Sequence, residues 1–379
     1  MSSICRFFVG LTAFFLLCLL SSCTTHRTSD GGQDVTLRHA SLLEMAEADS
    51  FILVRVKNPW RTNETLATYV LVPRAYDRLP HQLPEGTVVR TPLQRTVVTS
   101  SVHASLALEL RCLPQLVGMT DVDYVVDPQL RACIGKGHGQ LRPLGSSMQP
   151  DIEMFRAVGA DAVFVSPFEN AGHGAIDRLG IPVIECADYM ETSPLGRAEW
   201  VRFFGRLWGK AEQADSLFQV VERDYTALAE QVGRLREVRP TVMCDLPMGG
   251  TWYEPGGGST MGIMLRDAGA RYLWADRDEA GSLMLNFESV FARGREAQIW
   301  LVKYGAPADA TYSSIQRDNV HFAEFNAWKT RKMWGCNTTQ VPFYEATPFH
   351  PERLLRNLVG IFHPGCLESP DTTYYRPLR

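Results

Sequence analysis

Asp151-Ile152-Glu153-Met154-Phe155-Arg156-Ala157-Val158-Gly159 runs into the apolar stretch Ala162-Val163-Phe164-Val165. The same pattern returns in the second half as Asn286-Phe287-Glu288-Ser289-Val290-Phe291-Ala292-Arg293-Gly294, followed by Ile299-Trp300-Leu301-Val302. Each copy places a Glu third, an Ala four residues later and a Gly two beyond that. Each reads as a short helix stopped at a glycine and then a buried strand. A repeat so widely spaced predicts two similar lobes, with Glu153 and Glu288 in equivalent places. One exposed carboxylate per lobe fits docking onto a two-fold partner.

The flanks of these copies alternate between strand and helix patterns. Thr96-Val97-Val98-Thr99, Leu116-Val117-Gly118, Ala162 to Val165 and Gly180 to Ile184 read as strands, with helices at Ala104 to Leu110 and Ala175 to Leu179. Such alternation predicts an α/β fold of parallel sheets with helices on both faces, one doubly wound sheet per lobe. Between the lobes, Trp200, Phe204, Leu207, Ala211, Ala214, Phe218, Val221, Tyr225, Leu228 and Val232 form one helical face. Gly209 divides it. The piece from Lys210 to Val232 has neither Pro nor Gly, so it reads as a long rigid connector that resists large hinge closure. On this reading, binding reorients the loops around Phe168, Trp252 and Tyr253 more than it rotates the lobes. The second lobe begins at Pro240-Thr241-Val242-Met243-Cys244, and a last helix covers about Pro351 to Ile361.

The segment before the first lobe is different. Residues 35–95 hold three short β-rich runs, 51–56, 68–72 and 87–90, separated by Pro and Asn turns. The division expected is residues 1–22 a signal peptide, 23–34 a tether, 35–95 a β-rich extension, 96–196 the first lobe, 197–238 connecting helices and 239–379 the second lobe.

At the N-terminus, Arg6 precedes an apolar run from Phe7 to Leu20, then Leu20-Ser21-Ser22-Cys23. The run is too short to span a bilayer, which takes roughly 20 residues. It has the h-region length of a secretory signal. Small residues before a Cys resemble the bacterial lipoprotein cleavage signal, which makes Cys23 the lipidation site and the membrane anchor. A chain read this way sits in the cell envelope, facing the periplasm.

The chain has 379 residues, 45% hydrophobic and 21% charged, with a net charge of −4, so nucleic acid is not an expected partner. Cys112, Cys133, Cys186, Cys244, Cys336 and Cys366 are widely spaced with no CxxC pair, which argues against a cysteine zinc site and leaves disulfides open. No GxSxG, HExxH or paired-carboxylate motif supports catalysis, so no catalytic residue is assigned.

Taken together, Gly145-Ser146, Pro150-Asp151-Ile152-Glu153, Gly159-Ala160-Asp161-Ala162-Val163-Phe164, Leu179-Gly180-Ile181-Pro182-Val183, Phe287-Glu288-Ser289-Val290 and His350-Pro351-Glu352-Arg353-Leu354-Leu355 through His363-Pro364 resemble the substrate-binding proteins of ABC importers for iron chelates, haem and vitamin B12. The resemblance covers about residues 95 to 365. It implies a monomer with ligand held between two lobes that a rigid helix joins. It also implies that Glu153 and Glu288 reach Arg pockets on the two subunits of a permease, which an ATPase drives. Because both glutamates precede their strands, they are expected away from the cleft.

Ligands of open α/β sheets sit beyond the carboxyl ends of the strands. The candidate ligand residues there are Ser101, His103, Lys136, Phe168, Trp252, Tyr253 and Tyr304. Trp252 and Tyr253, beside the loop Pro255-Gly256-Gly257-Gly258-Ser259, form the leading pair, because aromatic rings suit a flat chelate. The loop's amides offer an anion a place at the helix start. No metal site is assigned, although a zinc or manganese carrier would use His103, His138 and His173. The expected cargo is an iron chelate, siderophore or haem, with cobalamin next and a surface lipoprotein that captures chelate as a further reading. No resident cofactor is expected.

Overall fold

A computed structural model describes residues 33–135, 141–236, 238–369 and 371–379 of the chain. Cys23, Lys136 and His138 lie outside the described residues.

Fully buried runs build the two parallel sheets. In the first lobe, β6 (Thr96–Val98), β7 (Leu116–Met119), β8 (Arg142–Pro143), β9 (Ala162–Val165) and β10 (Val183–Glu185) pair in the order β10-β9-β6-β7-β8, all parallel. Every residue of β6 and β9 is buried, as in central strands covered on both faces. In the second lobe, β11 (Thr241–Cys244), β13 (Arg271–Tyr272), β15 (Ile299–Tyr304) and β16 (Met333–Asn337) are parallel in the order β13-β11-β15-β16, and β17 (Arg376–Pro377) closes the edge antiparallel. A separate hairpin pairs β12 (Trp252–Pro255) with β14 (Ser282–Leu285).

Three helices connect the lobes: Pro194–Glu199, Val201–Leu207 and Ala211–Gly233. The second stops at a turn where Gly209 adopts φ 69. The third is continuous over 23 residues, about 35 Å long. It buries Ala214, Phe218, Val221, Tyr225, Leu228 and Val232, the face that the apolar spacing predicts. Its Tyr225 hydroxyl donates to Asp267 of the second lobe at 2.9 Å.

The two repeat copies fold alike. Asp151 caps helix Ile152–Ala157 by accepting from the Met154 amide at 3.0 Å. Asn286 caps helix Phe287–Gly294 by accepting from the Ser289 amide at 2.8 Å. The copies differ at their glycines. Gly159 takes φ 56 beyond its helix, whereas Gly294 stays helical and its bare Cα faces the Met243 side chain.

The N-terminal extension is a five-stranded sheet: β1 (Gln33–Asp34), β2 (Leu43–Glu47), β3 (Ile52–Lys57), β4 (Thr65–Pro73) and β5 (Thr87–Thr91), antiparallel except for the parallel pair β4–β5. Two buried carboxylates fasten it to the connecting helices. Glu199 accepts from the amides of Arg38, His39 and Ala40 at 2.8 to 3.1 Å. Glu191 accepts from the amides of Ser41 and Leu42, the Ser41 hydroxyl and the Trp200 indole at 2.7 to 3.0 Å. Buried carboxylates need several donors to offset lost hydration. Here five successive peptide units supply them.

Candidate functional site: the cleft between the lobes

The carboxyl ends of the two sheets meet at a cavity of about 260 Å3 that both lobes line. Val102 comes from the first lobe, Pro194 and Arg197 from the connector, and Thr260, Met261, Met264, Lys303, Phe343, Tyr344 and Leu354 from the second lobe. The walls are apolar, and two cations reach into them. Neither is loose. Arg197 Nε lies 3.3 Å from Asp188 Oδ2, and His103 Nε2 lies 3.1 Å from the other oxygen of that carboxylate. Burial opposes the charge on Asp188, but His103 and Arg197 overcome it and hold its pKa below the ordinary carboxylate value. Lys303 Nζ lies 2.8 Å from Asp245 Oδ2. Burial also opposes the Lys303 charge, yet the pull of Asp245 raises its pKa. Each cation has its back to a carboxylate, and the hydrogens that the carboxylate does not take are left for an anion in the cleft.

Beyond this cavity the lobes touch directly. Glu345 of the second lobe accepts from the amides of Val126 and Asp127 at 2.8 and 2.9 Å. Thr260 donates to the Glu191 carbonyl at 3.0 Å.

The residues expected to hold ligand do not converge. Trp252 is fully buried, stacked on Trp300 at 5.7 Å, with its indole donating to the Cys244 carbonyl. It is core, not a cleft wall. Strand alternation turns its neighbour Tyr253 outward instead. His103 is 2% exposed and belongs to helix Ser101–Glu109 rather than a loop. It positions Asp188 beneath the cleft. Ser101 opens that helix, half-buried, next to Val102. Phe168 is 62% exposed, but it lines a shallow hollow with Trp60 of the N-terminal extension, where Arg61 donates to Asn170 at 3.0 Å. Tyr304 lines a different concavity with Arg376, and its hydroxyl accepts from the Ala310 amide at 2.9 Å.

Two of the glycine loop's amides are already engaged within the fold. Gly256 and Gly257 donate to the carbonyls of Gly281 and Arg277, and a side chain on any of Gly256, Gly257 or Gly258 would collide with the backbone of residues 275–281. His173 pairs with Glu185 at 2.9 Å, so it and His103 serve different carboxylates. Among the described residues, no group of three or more His, Cys, Asp or Glu side chains is placed to hold a metal, and the six cysteines from Cys112 to Cys366 are unpaired. No helix of the described residues is long and apolar enough to cross a membrane.

Glu153 and Glu288 are both exposed, each at the second position of its helix. A helix runs antiparallel to the strand it feeds, so its first turn sits at the carboxyl edge. The Leu144 amide donates to Met119 at the end of β7, and the Asp151 amide donates to Leu144. Glu153 therefore opens a helix that begins just beyond the carboxyl end of β7.

The sequence profile of the periplasmic binding protein family matches residues 97–337. An uncharacterized lipoprotein of Methanocaldococcus jannaschii is 23% identical over 307 residues, which span 76% of this chain and 69% of that protein. Among solved structures, a periplasmic heme binding protein from Pseudomonas aeruginosa aligns with a TM-score of 0.58 at 18% identity, covering 76% of this chain and 98% of that one. An ABC-type Fe3+-hydroxamate transport protein from Saccharomonospora viridis aligns with a TM-score of 0.56 at 17% identity, covering 72% and 94%. Two parallel-sheet lobes, one long connecting helix and a cleft between the lobes complete the pattern, and the chain belongs to the periplasmic binding protein family, a family of solute binders rather than of enzymes.

Proposed function

We propose that this protein is the lipid-anchored substrate-binding component of an ABC importer. It takes an anionic iron chelate, a siderophore or haem, between its lobes and delivers it to a permease that an ATPase drives. The observation that carries this reading is the cleft itself, where Arg197 and Lys303 stand over walls formed by Met261, Met264, Phe343 and Leu354. Apolar walls suit the face of a chelate, and the two cations suit its carboxylates or phenolates. Two charge-assisted donors favour such a ligand over cobalamin, whose amide-rich edge calls for neutral partners. Cys23 provides the anchor, and Glu153 and Glu288 provide the contacts to the two permease subunits. The protein works as a monomer.

Titration of the purified protein with haemin, a ferric hydroxamate, a ferric catecholate and cyanocobalamin tests the reading. One iron chelate should bind tightly, and Arg197→Gln and Lys303→Gln should each weaken it about tenfold or more. Tight binding of cobalamin alone, or iron-chelate binding indifferent to both substitutions, would overturn the assignment.

A further inference from the structure

The second sheet turns its carboxyl ends to the cleft, and its amino ends form the far edge of that lobe. Four helices run down to this edge before the strands rise from it: Ala211–Gly233 before β11, Thr260–Asp267 before β13, Phe287–Gly294 before β15 and Asn326–Lys329 before β16. Each of the four turns carries exposed cations. Arg236 and Arg239 precede β11, Arg271 opens β13, Arg295 precedes β15, and Lys329 and Lys332 lead into β16. The strands hold these turns side by side. The Arg271 amide donates to the Pro240 carbonyl at 2.8 Å, and the Trp300 amide donates to the Lys332 carbonyl at 3.1 Å. Strands set about 4.8 Å apart bring the four turns within about 15 Å.

The acids on this edge are few and mostly engaged. Glu230 pairs with Arg234, Asp267 with Arg266 and Glu296 with Arg295. Glu237, outside the described residues, and the exposed Glu368 are the others nearby. Among the described residues, Arg239, Arg271, Lys329 and Lys332 have no acidic partner. Val238, beside Arg239, is 89% exposed. The whole chain has a net charge of −4, so this edge is opposite in sign to the molecule that carries it.

A cationic surface with an apolar tip fits a partner that is anionic outside and apolar just beneath. The path of the chain says which surface is at hand. The N-terminal segment crosses the long connecting helix where His39 meets Glu222 at 2.8 Å. From Glu222 to Arg234 that helix descends about 18 Å. The stretch from Cys23 to Gly32 reaches at most about 35 Å. A bilayer that holds Cys23 is therefore within reach of the edge.

We propose that the amino edge of the second lobe, with Arg239, Arg271 and Lys332 around Val238, lies on the anionic phospholipid headgroups of the anchoring membrane. This inference depends on the lipid anchor at Cys23 proposed above. The edge is the end of the lobe opposite the cleft, so a molecule lying on it holds the cleft open to solvent, where ligand arrives. Delivery then requires the lobe to leave the lipid. A contact made of exposed charges is screened and reversible, which permits that.

A photo-crosslinking amino acid at position 238 of the full-length chain tests the proposal. The lipidated protein is reconstituted on vesicles of phosphatidylglycerol and phosphatidylcholine in equal parts, or of phosphatidylcholine alone. Met148, 83% exposed in the loop beyond β8 of the first lobe, is the control position. Position 238 should give lipid adducts on the anionic vesicles at about 0.1 M salt, and position 148 should give few. The yield at 238 should fall about tenfold or more on phosphatidylcholine alone, in about 1 M salt, and with Arg271→Glu plus Lys332→Glu. Equal yields on the two kinds of vesicle, or silence at 238 on the anionic ones, would overturn the proposal. So would adducts to protein alone when the crosslinking is repeated in native membranes, because they would give the edge a different partner. The mass of the mature chain reports the anchor separately. An unlipidated chain would take down the anchor reading and this proposal with it, whereas a lipidated chain silent at 238 would remove the proposal alone.

Discussion

His350 Nε2 lies 2.5 Å from Glu109 Oε2, and the two residues belong to opposite lobes. The other ring nitrogen lies 2.9 Å from Glu352 Oε1, and Arg353 comes within 4.0 Å of Glu109. One imidazole therefore joins helix Ser101–Glu109 to helix Pro351–Phe362 across the lobe boundary.

This bridge has a defined pH window. Burial pushes the His350 pKa down, but its bonds to Glu109 and Glu352 outweigh that and raise it above the ordinary 6.5. Burial pushes Glu109 up, but His350 and Arg353 hold it below the ordinary 4.5. The histidine contribution is complete below its ordinary value and is lost as pH rises through the raised one. The carboxylate contribution is complete above its ordinary value and is lost as pH falls. The bridge is strongest between 4.5 and 6.5. Thermal unfolding should show wild type gaining stability from about pH 8 to about pH 6, and His350→Gln should lose most of that gain. An identical pH profile in the variant would rule the bridge out as its source.

Glu345→Ala should loosen the same boundary. The substitution strips the acceptor from the amides of Val126 and Asp127, at a cost of about 2 kcal/mol. Amide exchange at these two positions should accelerate, while protection in β6 and β9 should fall only with global stability. Unchanged protection at Val126 would refute the assignment.

Glu254 runs the other way. It is fully buried, and burial first and Asp245 second raise its pKa well above 4.5, against the hydrogen bonds from Tyr272 and Cys244. A raised carboxyl supports folding below its ordinary pKa and loses that support as pH rises through the folded value. Glu254→Gln should therefore gain stability relative to wild type as pH rises from about 5 to about 8. Urea unfolding at the two pH values measures this, and a constant difference between variant and wild type would sink it.

Much of this architecture is legible in the sequence, because burial imposes periodicity. The helix face from Ala214 to Val232 repeats every three or four residues and is buried as spaced. The repeat around Glu153 and Glu288 survives because a cap and a carboxylate at fixed positions begin each helix. The site is less legible, because a shift of a few residues in an element boundary turns a side chain to another face. The sequence pattern ends this strand at Val302, but it continues to Tyr304, so Lys303, on the face opposite Tyr304, lines the cleft. Trp252 and Tyr253 read as a pair, but strand neighbours face opposite ways. A helix read from Ala104 begins at Ser101, which carries His103 into the core. Arg197 and Tyr344 meet only through the packing of the lobes, and no local pattern marks such residues.

The clamp on the N-terminal segment makes a fourth prediction. Glu199→Ala removes one acceptor from three successive amides, at a cost of about 3 kcal/mol or more. Limited proteolysis should then cut between Asp34 and Leu43 well before wild type is cut. Equal resistance in the two proteins would show that the strands alone hold the segment.

That clamp also decides where a mechanical load would go. Force applied at the N-terminus passes along β1 and β2 into the residues from Arg38 to Leu42, and from there through Glu191 and Glu199 into the connecting helices. Glu191 sits just before the first of those helices, at the boundary between the first lobe and the connector. A pull there is shared between the connecting helices and the first lobe, because Tyr69 and Arg74 also tie the N-terminal sheet to Val183, Glu185 and Asp161.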